Sequence, residues 1–65
     1  MDTMARVHDL ANERNLSLFR LSQMCDVPYS TLKNAEKRGN QLAVATIEKI
    51  CGSLGIGLSD FFKDT

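Results

Sequence analysis

Residues 17–37 read S-L-F-R-L-S-Q-M-C-D-V-P-Y-S-T-L-K-N-A-E-K. The small or apolar positions Leu18, Leu21, Ser22, Cys25, Val27, Leu32 and Ala35 fall at the spacing of two short amphipathic helices that share one core. Ser17 is a good N-cap for the first of them, which is expected to run to about Cys25. Asp26-Val27-Pro28 breaks the pattern as a tight turn. Pro28 fits the first turn of the next helix, where its missing N–H costs nothing, and that helix is expected to run to about Lys37. Tyr29, Ser30, Lys33, Asn34 and Lys37 then share the face opposite Leu32 and Ala35. The second helix thus has apolar residues behind and hydrogen-bonding residues in front.

Outward from this pair, residues 3–14 carry Met4, Val7, Leu10 and Ala11 at helical spacing, with Thr3 or Asp2 as cap and Asn15 as the stop. Arg38-Gly39-Asn40-Gln41 is a polar loop in which Gly39 can close the preceding helix. Val44, Ile47, Ile50, Cys51 and Leu54 form the clearest amphipathic stripe, and Gly52, Gly55 and Gly57 are expected to fray or end it. A short fifth helix covers Leu58–Phe62 with Ser59 as cap, and Leu58, Phe61 and Phe62 supply a large apolar lid. No alternating run or hairpin dipeptide marks a strand. The expected fold is all-α: five short helices around one core, in a single domain over residues 1–65.

Composition narrows the function classes. The chain has 65 residues, 43% of them hydrophobic and 25% charged, which is ordinary for a soluble globular domain. A domain this small is marginally stable and has no room for a deep pocket. Its apolar runs are too short for a membrane span, and Met-Asp-Thr-Met-Ala-Arg lacks the pattern of a secretory signal. A cytoplasmic location is expected. Cys25 and Cys51 sit in separate apolar patterns without C-x-x-C or His/Cys clustering, so they read as small buried hydrophobes in a reducing compartment. His8 has no partner in sequence and reads as a solvated helix residue. No paired-carboxylate, Cys/His or Ser/His constellation falls on one face, and the glycines do not form a phosphate-cradling loop. Neither enzyme activity, metal, cofactor nor small-molecule ligand is expected.

Net charge is zero, but it is unevenly spread. Residues 14–41 hold five basic residues (Arg14, Arg20, Lys33, Lys37, Arg38) against Asp26 and Glu36, a local charge of +3. Residues 1–13 carry −2 and residues 42–65 carry −1. A local patch is enough to meet phosphates on a neutral protein. The polar face after the turn has the dimensions and donors to enter a major groove and read base edges.

The motifs N-L-S-L-F-R-L-S at 15–22, V-P-Y-S-T-L-K-N at 27–34 and T-I-E-K-I-C-G-S-L-G-I-G-L-S-D-F-F at 46–62 carry a family resemblance over roughly residues 6–62. The chain resembles the lambda-repressor-like DNA-binding domains, the Cro/cI or Xre type of bacterial and phage regulators. The resemblance implies a compact five-helix domain with its helix-turn-helix at helices 2 and 3, the third helix lying in the major groove. It implies base contacts from Tyr29, Ser30, Lys33 and Asn34. It implies phosphate contacts from Ser17 at the start of the second helix and from Arg38, Asn40 and Gln41 around the loop after the third. Arg20, on the exposed side of the second helix, and Lys37, one turn beyond Lys33, are expected to meet phosphates as well. Such regulators usually pair, so a homodimer on a palindromic double-stranded site is expected. Three positions depart from the family. Leu18 stands where Gln commonly bonds a phosphate, which Leu cannot do. Ser22 replaces Ala and is small enough for close helix approach. Asp26 replaces Gly at the turn, and Asp tolerates the left-handed region better than most residues.

Each reading has a plainer counterpart. Asn34 can make a bidentate bond to adenine or stand solvated; Lys33 and Lys37 can meet phosphates or simply form a charged face. Tyr29 can meet a thymine methyl or a phosphate, or pack over the turn beside Pro28. Glu36 is expected to pair with a nearby basic residue within the protein. The function expected is a sequence-specific transcriptional regulator, specifically a repressor. The alternative is a protein-interaction module on the same fold, antitoxin-like or a co-regulator, with weak or no DNA binding.

Overall fold

Five helices follow one another in the computed structural model, which describes residues 2–39 and 41–63. They are α1 (Thr3–Glu13), α2 (Leu18–Met24), α3 (Tyr29–Lys37), α4 (Val44–Leu54) and α5 (Leu58–Phe61). No strand occurs among the described residues.

Local chemistry sets most of the boundaries. The Asp2 carboxylate accepts the Ala5 N–H at 2.9 Å and caps α1. Thr3, the other candidate cap, is buried instead, and its hydroxyl accepts the Leu42 N–H at 2.9 Å, fastening the loop before α4 to α1. Asn15 ends the α1 segment in the left-handed region at φ +57°, and the Leu16 N–H returns to the Ala11 carbonyl. Ser17 caps α2 by accepting the Arg20 N–H at 3.1 Å. The turn between α2 and α3 needs one residue in the left-handed region, and Asp26 takes it at φ +56°. The Val27 N–H then bonds the Ser22 carbonyl at 3.0 Å, and Lys49 Nζ donates to the Asp26 carbonyl at 2.8 Å, so α4 holds the turn from behind. Pro28 stands one residue before α3, as its N-cap.

The C-terminal third differs from the sequence reading in several places. Gly52 lies inside α4 and does not fray it. Its propensity cost of about 1 kcal/mol is outweighed by the flanking anchors Ile50, Cys51 and Leu54. Gly55, at φ +71°, is the residue that ends the helix. Val44 shares the azimuth of the apolar stripe yet is 63% exposed. Helix α5 is capped at Gly57, not Ser59: the Asp60 carboxylate accepts the Gly57 N–H at 3.4 Å, and Leu58 is already helical. A four-residue helix can bury only one side, so of the expected lid Phe61 is fully buried while Leu58 and Phe62 stay half-exposed.

Phe61 is among the largest fully buried side chains and closes a core that draws on α1 (Met4, Val7, Leu10), α2 (Leu21), α3 (Leu32) and α4 (Ile47, Ile50). Each such side chain stabilises the fold by about 1.5–3 kcal/mol through apolar burial. Cys25 and Cys51 are buried free thiols, and desolvation pushes both up from the ordinary thiol range. They pack as apolar groups, as their setting in the sequence implies.

Candidate nucleic-acid interface

The core fixes α3 by its inner face. Leu32 is wholly buried and Ala35 nearly so, which turns Tyr29, Ser30, Lys33, Asn34 and Lys37 outward, all of them exposed. Ser22 is buried in α2, its hydroxyl donating to the Phe19 carbonyl at 2.6 Å. Leu18, where the family pattern has a phosphate-binding Gln, is half-buried against the core. Its side chain packs there and takes no part in an outer polar face.

Three groups of side chains border the outward face of α3. At the α2 end, Ser17 and Arg20 are exposed; the Ser17 hydroxyl accepts the cap bond and still carries its own donor. At the start of α3, Tyr29 is 38% exposed and its ring meets Phe19 of α2 edge-to-face, with centroids 5.4 Å apart at 77°. At the far end, Asn34 and Arg38 join Thr31, Gln41, Leu42, Ala43 and Thr46 around a shallow cleft of about 280 Å³. This cleft brings the candidate base-reading Asn34 next to the candidate phosphate residues Arg38 and Gln41 and to the N-terminus of α4. Asn40 lies outside the described residues.

Electrostatics refine the expected patch. Lys33 Nζ sits 3.1 Å from Glu36 Oε1 and 5.9 Å from the Tyr29 ring centroid. Glu36 raises the Lys33 ammonium above its ordinary range by hydrogen bonding and by charge, so Lys33 stays cationic. The other Glu36 oxygen meets His8 Nε2 of α1 at 3.2 Å. The two partners, His8 first, hold the Glu36 carboxyl below the usual carboxylate range. Glu36 therefore pairs inside the protein, as expected, while His8 is more than a solvated residue. Arg14, counted in the local positive charge, is turned back onto α1, with Nη1 3.3 Å from the Leu10 carbonyl and 3.7 Å from Glu13. The outward cations are Arg20, Lys33, Lys37 and Arg38.

Two residues escape the sequence reading. His8 is 28 positions from Glu36, and nothing local connects them. Phe19 does carry a signal: it is a large aromatic between the core positions Leu18 and Leu21, on a side of α2 that the core does not claim.

Among the described residues no group of three or more His, Cys, Asp or Glu could hold a metal ion, and no helix is long and apolar enough to cross a membrane. The arrangement comprises a polar helix face on an apolar base, with Lys33 and Lys37 along it and Arg38 at its C-terminal end. A face of this kind meets base edges in a groove and phosphates beside it. Comparison with protein families agrees: the model of the Cro/C1-type HTH DNA-binding domain matches residues 6–65. The chain belongs to that family, and its five helices are those of such a domain. Neither a curated protein nor a solved structure matches the chain significantly.

Proposed function

We propose that this protein is a sequence-specific transcriptional repressor that binds double-stranded DNA as a homodimer and inserts α3 into the major groove. Family membership supports DNA binding by a regulator in general. The observation that carries the finer reading is the outward face of α3, polar along its length and held by Leu32 and Ala35. In this reading Tyr29, Ser30, Lys33 and Asn34 meet bases, and Lys33 also reaches a flanking phosphate. Ser17, Arg20, Lys37, Arg38 and Asn40 meet phosphates, and Gln41 extends that set. Asn34 suits adenine, whose N6 and N7 a carboxamide matches in a bidentate way. The half-exposed Leu58 and Phe62, with Val44, are apolar surface on α4 and α5 that a second copy would cover. Two reading helices about 34 Å apart would then address a palindrome. The whole of residues 1–65 acts as one domain in this reading, in the cytoplasm and without enzymatic activity.

The test is selection of the purified protein on a randomised duplex library at two salt concentrations. An enriched palindrome, bound with an affinity that falls steeply as salt rises, is the expected result. No enrichment at low salt would overturn it. The same exposed apolar residues would then favour the second reading, a module of this fold that binds a protein partner.

A further inference from the structure

Phe19 lies outside every role assigned so far. It is 52% exposed on α2, a helix whose other face is packed on the core. Its ring is nevertheless placed: it stands edge-to-face on Tyr29, the first residue of α3, at 5.4 Å. The pair forms one wall of a shallow cleft of about 320 Å³, completed by Gln23, Val27 and Pro28. One cation borders the pair: Lys33 Nζ lies 5.9 Å from the Tyr29 ring centroid. Asp26 also lines the cleft and disfavours a phosphate within it. An apolar surface with a cation at its edge, at the start of the helix proposed to read DNA, matches an apolar group that lies beside phosphates. The major groove offers one such group, the 5-methyl of thymine.

We propose that Phe19 is a specificity-determining residue: with Tyr29 it forms an apolar wall at the N-terminal end of α3 that receives a thymine 5-methyl group. This rests on the reading that α3 enters the major groove. Phe19 contributes in two ways. Its ring adds contact area for the methyl, and its edge-to-face packing fixes the Tyr29 ring in one orientation, so that little ordering remains to be done on binding.

The experiment uses the full chain and a duplex selected from the randomised library. Each thymine is replaced singly by deoxyuridine, which removes the methyl group and nothing else. Wild type is expected to lose about fourfold in affinity at a thymine near the start of the α3 footprint, equivalent to about 0.8 kcal/mol for a methyl group taken out of water. Phe19→Ala, with unchanged helicity, is expected to bring the thymine-to-uracil ratio at that position close to one. Phe19→Leu should restore part of the ratio, and Tyr29→Phe should keep it, since the methyl meets the ring and not the hydroxyl. A ratio that Phe19→Ala leaves intact overturns the proposal, as does a wild-type footprint indifferent to every uracil. A Phe19→Ala protein that changes its association state while keeping the ratio overturns it too, and assigns the surface to protein contact. Wild type that selects no duplex at all fails at the earlier step and removes the DNA reading itself.

Discussion

Lys33 carries its charge between a carboxylate and an aromatic ring, and that position shapes what it can do. An exposed pair with Glu36 at 3.1 Å is worth little and is easily exchanged for a phosphate. Lys33→Ala is therefore expected to weaken binding to all sequences and to reduce the salt slope by about one, read from affinities at several salt concentrations. Equal slopes for variant and wild type would refute a phosphate role. Asn34, one residue on, should behave differently: Asn34→Ala is expected to relax base preference by about 1–3 kcal/mol at a single position, seen as a broadened selected site with a smaller change in non-specific affinity. Glu36 bridges His8 and Lys33, and these partners depress its carboxyl. A depressed carboxyl stabilises the fold at pH values above its unfolded range, and that stabilisation is lost as pH falls through the folded value. The melting-temperature gap between wild type and Glu36→Gln should therefore narrow as pH drops from neutral through the carboxylate range. A gap that is constant over this interval would mean the bridge contributes nothing. The Glu36–Lys33 half of this bridge was legible as a spacing of three on one helix. The His8 half was not, because it depends on how α1 lies against α3.

Helices α1 and α2 could be read nearly to the residue because their signals are local. Asp2 and Ser17 cap the chain three residues ahead of themselves, and Asn15 and Asp26 accept the left-handed region by virtue of their own side chains. The end of α4 was harder. Three glycines in six positions, 52, 55 and 57, all look like breakers, and only packing decides among them. Gly52 and Gly55 make the distinction measurable with the same substitution. No heavy atom lies within 4 Å of an added Cβ at either site, so backbone conformation alone sets the outcome. Gly52→Ala replaces glycine within a helix and should stabilise the protein by about 0.5–1 kcal/mol. Gly55→Ala forces a side chain into φ +71° and should destabilise it by about 1–2 kcal/mol. Denaturant titrations of the two variants should move to opposite sides of wild type. Movement in the same direction would contradict the assignment of Gly55 as the terminator of α4.

At the scale of the whole molecule, the core pattern was legible and the polar ties across it were not. Helical spacing identified Val7, Leu10, Leu21, Leu32, Ile47 and Ile50 as interior, since periodicity reports which face turns inward. It does not report which helix ends meet. Long-range bonds among the described residues do that: Thr3 to Leu42, Lys49 to the turn at Asp26, His8 to Glu36, and Arg6 to the end of α5. Arg6 spans the greatest separation. Its Nε donates to the Phe61 carbonyl at 2.7 Å and its Nη2 to the Asp60 carbonyl at 2.8 Å, with Glu13 3.9 Å from Nη1. Those carbonyls end a helix of four residues, too short to persist alone. The guanidinium thus anchors the backbone on which Phe61 is mounted, and Phe61 fills the core. Hydrogen bonds from a charged donor contribute about 1.5–3 kcal/mol, a large share of the stability available to a domain of this size. Arg6→Ala is expected to lower the unfolding free energy by that amount, read from denaturant titration, and the melting temperature by on the order of 10 °C. Arg6→Lys should recover only part of the loss, because an ammonium lacks the fork that serves two adjacent carbonyls. The salt slope of DNA binding should stay at the wild-type value in both variants, since Arg6 faces α5 and not the groove. A stability loss confined to Ala, with Lys fully equivalent to wild type, would show that charge near the helix end matters and the two-pronged geometry does not.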